Sequence, residues 1–231
     1  MSATVIGAQL RCDAENTLPE ALQVAFRARA REIFVRREQI ILAEGLHSTD
    51  VFLIISGKVK VSLFSRQGRE TILREMGPGQ IFGELSAIDD QPRSASIVAL
   101  VDTGLKHLSG EEFIEFLDQT PSAGLWMARQ LSARVRDLTE KIFELTTMPV
   151  NTRLHCELMR IRLNDVAGGD TAVIERFPTH SDLASRIGTH REAVTRELGL
   201  LTREGILKQA GRRMHILSVS RLRAMILRFA L

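Results

Sequence analysis

Phe82-Gly83-Glu84-Leu85-Ser86 and, six positions after Ser86, Pro92-Arg93-Ser94-Ala95 hold the residue types best suited to chemistry in this chain. A glycine-led turn exposes backbone N–H groups. Arg93, nine residues after Glu84, adds a guanidinium fork beside a small hydroxyl. An arginine next to exposed N–H groups suits a phosphate. The Glu84 carboxylate can accept hydrogen bonds from a sugar hydroxyl. Together these groups would bind a ribose and a phosphate in one small pocket. An isolated Gly-Glu or Arg-Ser pair is usually solvated surface, and only the full pattern at this spacing favours a ligand site.

The elements that must position these residues read as three segments: 1–120, 121–148 and 149–231. Residues 33–108 alternate short apolar runs with turn signals at Gly45, Gly57, Gly68, Gly77-Pro78-Gly79 and Gly104. Val51-Phe52-Leu53-Ile54-Ile55 has the composition of a buried strand. Val59, Val61 and Leu63 alternate with Lys60 and Ser62, the period of a half-buried strand. Regularly spaced short strands predict a small β-barrel or sandwich. Flanking helices are expected near residues 19–31 and 110–118.

A long helix is predicted over residues 121–147, started by Pro121 and stopped by Pro149. Leu131, Val135, Leu138, Ile142 and Leu145 follow a 4, 3, 4, 3 spacing, the seam of a two-stranded coiled coil. Gly124 and Ala128 extend it with small residues, and Arg134, Arg136, Asp137, Glu140 and Lys141 flank it. A homodimer is the expected partner arrangement. Packing of this stripe on the protein's own barrel is the alternative. Met148-Pro149-Val150 reads as a hinge.

In the third segment Asn151 can cap a helix through Leu154, Leu158, Ile161 and Leu163, and Ala167-Gly168-Gly169-Asp170 reads as a loop. Thr179-His180-Ser181-Asp182 and Thr189-His190-Arg191-Glu192 each fit a capping box. The tight turn Ile187-Gly188-Thr189 between them predicts a helix-turn-helix. A hairpin from Ile206 to Ile216, turning near Gln209-Ala210-Gly211-Arg212, would form a basic wing. In such a motif the start of the second helix enters a DNA major groove. That helix offers Thr189, His190, Arg191, Glu192, Thr195 and Arg196. Arg191 and Arg196 could donate to guanine and Glu192 accept from cytosine. The competing role for Glu192 is the capping box with Thr189. His180 and His190 suit phosphate contacts, and Thr179 and Arg212 complete the expected DNA-facing set.

Charge supports this division. Residues 1–148 carry 17 Lys/Arg against 20 Asp/Glu, a net of −3, while residues 149–231 carry 14 against 8, a net of +6. Thirteen of those 14 are arginine, which suits a polyanion partner. No run approaches the length of a membrane span, and the first twenty residues lack the pattern of a signal peptide, so a cytoplasmic protein is expected. Cys12 and Cys156, the only cysteines, lie far apart and imply neither a disulfide framework nor an iron–sulfur cluster. The six histidines are scattered, so neither metal nor haem is expected. No Cys/His or Ser/His/Asp constellation suggests an enzyme.

The cassette at residues 82–95 resembles the phosphate-binding cassette of cyclic-nucleotide-binding domains. Ala43-Glu44-Gly45 followed by Asp50 to Gly57 resembles the strand-turn-strand opening of the same domains. The resemblance implies an α+β fold with an N-terminal β jelly roll, a double-stranded β-helix. It gives Glu84 the ribose 2′-hydroxyl, Arg93 the cyclic phosphate, and Gly83, Leu85, Ser94 and Ala95 the remainder of the cradle. The C-terminal segment resembles the winged helix-turn-helix of the cyclic-AMP receptor/FNR superfamily. Arg191-Glu192-Ala193-Val194-Thr195-Arg196 matches the branch whose members read TGTGA-like half-sites of a pseudo-palindromic operator. With the long helix between, nearly the whole chain is covered.

That branch also carries an arginine on its dimer helix that reaches the phosphate, here Arg134, and two hydroxyl residues that contact the base, here Leu138 and Thr139. Leu138 departs from the pattern, since it cannot hydrogen-bond a base edge. The resemblance therefore implies a cyclic nucleotide as allosteric ligand, cyclic AMP in preference to cyclic GMP, with double-stranded DNA, a second copy and RNA polymerase as partners. Same-fold regulators with other effectors and a module acting through protein contacts are the alternatives.

Overall fold

A computed structural model describes residues 17–68, 70–163 and 169–228. By their internal contacts the residues divide into two compact units, 14–133 and 134–231.

The first unit opens with helix α1 (Glu20–Arg29) and strands β1 (Arg31–Val35) and β2 (Ile40–Leu42). Then come β3 (Val51–Ser56), β4 (Val59–Phe64), β5 (Glu70–Met76) and β6 (Ile81–Phe82). A short helix α2 (Glu84–Asp89) precedes β7 (Ser96–Ala99), β8 (Thr103–Leu108) and α3 (Gly110–Gln119). The strands form two antiparallel four-stranded sheets, ordered β1-β8-β3-β6 and β2-β7-β4-β5. This is the β-sandwich form of the expected jelly roll.

The unbroken apolar run of β3 has a physical reason. Phe52 and Ile54 point into the core between the sheets with Leu42, Val59, Val61, Met76, Phe82, Ile97 and Leu105. Val51 and Leu53, on the opposite face, are covered by Phe26 of α1 and by Phe113 and Phe116 of α3. A strand buried on both faces needs no polar alternation. Phe52 and Phe82 stack at 5.1 Å, which fixes the short β6 just before Gly83. One detail of β4 differs from its alternating pattern. Ser62 is fully buried, and its hydroxyl donates to Glu70 Oε1 at 2.6 Å. Glu70 also takes the Lys60 ammonium at 2.7 Å, so a buried hydroxyl is satisfied across the sheet.

Helix α4 runs Pro121–Thr147, the predicted span. Its first turns bury Ala123 and Met127 on the barrel core, where Leu131 also packs. The second unit continues with α5 (Val150–Leu163), β9 (Ala172–Ile174), α6 (His180–Ile187) and α7 (Arg191–Arg203). A hairpin, β10 (Leu207–Ala210) and β11 (Arg213–Ile216), and helix α8 (Val219–Leu227) complete it. The predicted wing is present, but β11 pairs on its other side with β9, so the sheet has three strands. Asn151 stands inside α5 rather than capping it, because the chain is already helical at Val150. Neither β9 nor α8 was expected from the sequence. Cys12 and part of the Ala167–Asp170 loop lie outside the described residues.

A buried charge cluster joins α4, α5 and α6. Arg160 donates to Glu144 of α4 and, at 3.1 Å, to Glu157 of its own helix. Arg186 of α6 reaches the other oxygen of Glu157 at 3.4 Å. Burial alone would raise the Glu157 carboxyl, but the charges of Lys141, Arg160 and Arg186 outweigh it and hold the group below the usual carboxylate range. Glu157 is therefore the shared anion of the cluster. Its removal takes the shared anion from two half-buried guanidiniums, Arg160 and Arg186. Glu157→Ala is expected to destabilise the second unit by about 3–5 kcal/mol, measured by chemical denaturation. A change below about 1 kcal/mol would mean that the cluster behaves as a surface pair.

Candidate functional site

The cassette forms where β6 ends. Gly83 takes φ 88°, in the left-handed region, and turns the chain into α2. A Cβ at this position would lie 2.4 Å from the Asp50 carbonyl oxygen, so any other residue would push that carbonyl away. Glu84, the first residue of α2, is buried at 3% exposure. Leu85 and Ser94 are exposed, and Ala95 is half-buried against the barrel core. The sequence showed a turn here and did not show the helix.

Arg93 lies at the centre and is only 4% exposed. Its main chain is pinned on both sides, with the Gly45 N–H donating to its carbonyl at 2.9 Å and its own N–H donating to Leu46 O at 3.0 Å. The Ala43-Glu44-Gly45 turn thus fixes the backbone of the arginine. The side chain donates from Nε to Ser48 Oγ at 2.8 Å, from Nη1 to Gly83 O at 2.7 Å and from Nη2 to Asp50 O at 2.7 Å. All three acceptors are neutral, and two of the five N–H groups stay available. Among the described residues no carboxylate forms an ion pair with this guanidinium. Burial pushes its pKa down, only partly offset by the nearby Asp50 charge. A buried cation held by neutral acceptors has the charge and the spare N–H groups to take an anion. The contacts of Ser48 and Asp50 with Arg93 escaped the sequence reading. Nothing in their spacing connects them to residue 93, because β3 and the cassette meet only through the sandwich.

Arg134, Leu138 and Thr139 lie on α4 in the second unit. The Thr139 hydroxyl donates to Val135 O at 2.8 Å, and Leu138 is exposed. Of the seam residues, Val135, Leu138 and Ile142 are 63%, 53% and 61% exposed. Leu145 also lies against the turn at Gly188, where an added Cβ would meet its Cδ2 at 3.0 Å.

The helix-turn-helix is built as expected at its first helix. Thr179 and Asp182 form the reciprocal capping box of α6, and Gly188 at φ 64° ends it. The second box does not form. Thr189 is buried and its N–H closes the turn on Ala184 O at 2.9 Å, so His190 becomes the residue before α7, without a side-chain cap. Val194, Leu198 and Leu201 bury one face of α7 in a core with Leu183 and Ile187. Arg191, Glu192, Thr195 and Arg196 occupy the exposed face. Among the described residues the side chains of Arg191, Glu192 and Arg196 make no hydrogen bond or ion pair, so Glu192 has no capping duty.

Thr195 and His180 are paired instead. The Thr195 hydroxyl donates to Arg191 O at 3.0 Å, so His180 Nδ1, 2.8 Å away, must be the donor to it. Arg212 is exposed at the wing turn, where its carbonyl accepts from the Phe177 N–H at 3.1 Å. Among the described residues no group of His, Cys, Asp and Glu could hold a metal ion, and no helix is long and apolar enough to cross a membrane.

The recognition helix has a buried anchor that the sequence did not reveal. His155 of α5, 2% exposed, meets Glu197 of α7 through Nε2 at 2.7 Å. Burial holds this imidazole below its usual 6.5, against the Glu197 carboxylate, which acts to raise it. The unfolded chain therefore takes up a proton here before the folded one does, so stability falls as pH drops below the usual imidazole value. The denaturation midpoint is expected to fall between about pH 7 and about pH 5.5, and less steeply in His155→Gln. An identical pH dependence in both proteins would place its origin elsewhere.

Comparison with known proteins agrees with both halves of this arrangement. Residues 32–120 match the cyclic nucleotide-binding domain, and residues 152–225 match the Crp-like helix-turn-helix domain. The chain is 30% identical over 190 residues to the cyclic AMP receptor protein of Thermus thermophilus, spanning 82% of this chain and 85% of that protein. It is 28% identical over 188 residues to the CRP-like cAMP-activated global transcriptional regulator of Mycobacterium tuberculosis, spanning 80% and 84%. Among solved structures, a CooA mutant from Carboxydothermus hydrogenoformans superposes with a TM-score of 0.79 at 22% identity, covering 94% of this chain and 99% of that one, a likeness of fold alone. The two matched domains and these relatives together identify the chain as a member of the CRP/FNR family, a cyclic-nucleotide-binding, DNA-binding transcription regulator and not an enzyme.

Proposed function

We propose that the chain is a cytoplasmic transcription regulator gated by cyclic AMP, acting as a homodimer on a pseudo-palindromic operator with TGTGA-like half-sites. The observation that carries the ligand reading is Arg93, a buried guanidinium bound only to neutral acceptors. On this reading the cyclic phosphate takes the free N–H groups of Arg93 with Ser94, and Glu84 holds the ribose. Gly83, Leu85 and Ala95 shape the cradle. The adenine and guanine forms differ at the base, whose contacts we assign to Thr139 and Leu138, with Arg134 directed to the phosphate. Leu138 offers no hydrogen bond to either base, which leaves cyclic GMP as the second reading.

The exposed stripe Val135, Leu138 and Ile142 supports a second copy packed along α4. Two recognition helices would then stand about 34 Å apart on one face of the DNA. The free side chains of Arg191, Glu192 and Arg196 support base reading, with Thr195 and His180 as a tethered pair beside them. Thr179, Thr189 and His190 at the helix starts and Arg212 on the wing would lie toward the backbone. Ligand binding and operator binding must strengthen each other by the same factor. RNA polymerase is the expected further partner.

Calorimetry with cyclic AMP and cyclic GMP side by side tests the ligand. Arg93→Leu is expected to abolish binding while circular dichroism stays unchanged, and undiminished affinity in that variant would remove the cassette assignment. Glu192→Ala is expected to relax base preference at one operator position at a cost of about 1–3 kcal/mol, read by a mobility-shift series on single-base operator variants. Uniform weakening on all sequences would show that Glu192 does not read a base.

A further inference from the structure

We propose that His107 keeps the Arg93 guanidinium available to the phosphate by holding the Asp50 carboxylate away from it. The inference rests on Arg93 as the phosphate ligand.

Asp50 presents two acceptors of different strength to the same neighbourhood. Its main-chain carbonyl accepts from Arg93 Nη2 at 2.7 Å. Its carboxylate is only three carbon atoms along from that carbonyl carbon, and its charge acts on the guanidinium. A buried arginine and a carboxylate in reach of each other normally form a charge-assisted pair. Here they do not, and Asp50 Oδ1 instead lies 2.8 Å from His107 Nε2. A carboxylate only accepts, so Nε2 carries the hydrogen.

The imidazole is well placed to hold it. His107 is on β8, paired with Phe52 of β3 and Arg31 of β1, and its ring lies 5.1 Å from that of Phe52. Phe52 stacks in turn on Phe82, the residue before Gly83. The ring is therefore set by the aromatic packing that also sets the cassette. The Asp50 side chain is 41% exposed and has room to turn, so the restraint comes from the hydrogen bond and not from crowding. Without it, Asp50 would fold back onto Arg93 and compete with the phosphate as an internal anion. His107 is thus a positioning residue that acts through Asp50.

The test uses the full chain, with His107→Phe, Asp50→Asn and the double variant. His107→Phe keeps a ring against Phe52 but has no donor. It is expected to weaken cyclic AMP binding by about tenfold or more, the scale of a hydrogen bond to a charged group. The double variant is expected to recover wild-type affinity within about threefold, because the competing charge is gone. A merely structural His107 would not be rescued by a change at Asp50. The second readout needs no nucleotide: the Arg93 Nε–H resonance of the ligand-free protein should shift in His107→Phe and return in the double variant. Unchanged affinity and resonance in His107→Phe, or a double variant as weak as His107→Phe, would overturn the proposal. Failure of the wild type to bind either cyclic nucleotide would instead remove the ligand reading, while the resonance would still decide whether Asp50 is restrained.

Discussion

The barrel is organised around the cost of burying one positive charge. Removing a guanidinium from water is expensive unless its N–H groups find acceptors. The fold supplies three acceptors for Arg93 from two separate pieces of chain: Ser48 and Asp50 just ahead of β3, and Gly83 after β6. None is an anion. The arrangement satisfies the geometry of the fork and leaves its charge uncompensated, which an apolar substitution at residue 93 would avoid altogether. Keeping such a charge makes sense where a ligand brings the missing one. The glycine at 83 belongs to the same constraint, since a side chain there would displace the Asp50 carbonyl on which the arginine depends.

The second unit treats its cations in the opposite way. Arg160 and Arg186 are drawn inside and share Glu157, with Glu144 of α4 completing the set. These pairs bind the end of the long helix to α5 and α6. Arg191 and Arg196, on the outer face of α7, have no intramolecular partner among the described residues. The unit thus consumes some of its positive charge in its own architecture and leaves the rest facing outward. His155 and Glu197 belong to the architectural group, because they hold the buried side of α7 while its other side stays free.

Some of this was legible in the order of residues. The span of α4 followed from Pro121 and Pro149, because proline constrains the backbone wherever the chain later goes. The recognition turn followed from Gly188 and the capping pair Thr179 and Asp182, interactions closed within a few residues. The cassette was legible from its Gly-Glu and Arg-Ser pattern, and the resemblance carried the assignment to family and ligand class. The second capping box failed because Thr189 was already committed to closing the preceding turn on Ala184, a competition between two local motifs that composition does not rank. Ser62 broke the strand alternation because its partner Glu70 lies on the neighbouring strand.

The sequence alone determined the sandwich strands, the span of α4, the helix-turn-helix and the chemical types at the site, since turns, strand periods and most helix caps are set by near neighbours; β9, α2 and α8 it did not. Only the tertiary structure decided that Arg93 is buried against neutral acceptors, that Asp50 is turned toward His107, and that Glu157 gathers two arginines. The partners of Arg93 stand 10, 43 and 45 residues away from it along the chain. Interactions over such separations exist only after the sheets close, and it is their geometry that turns a suitable set of residues into a cation poised for an anion.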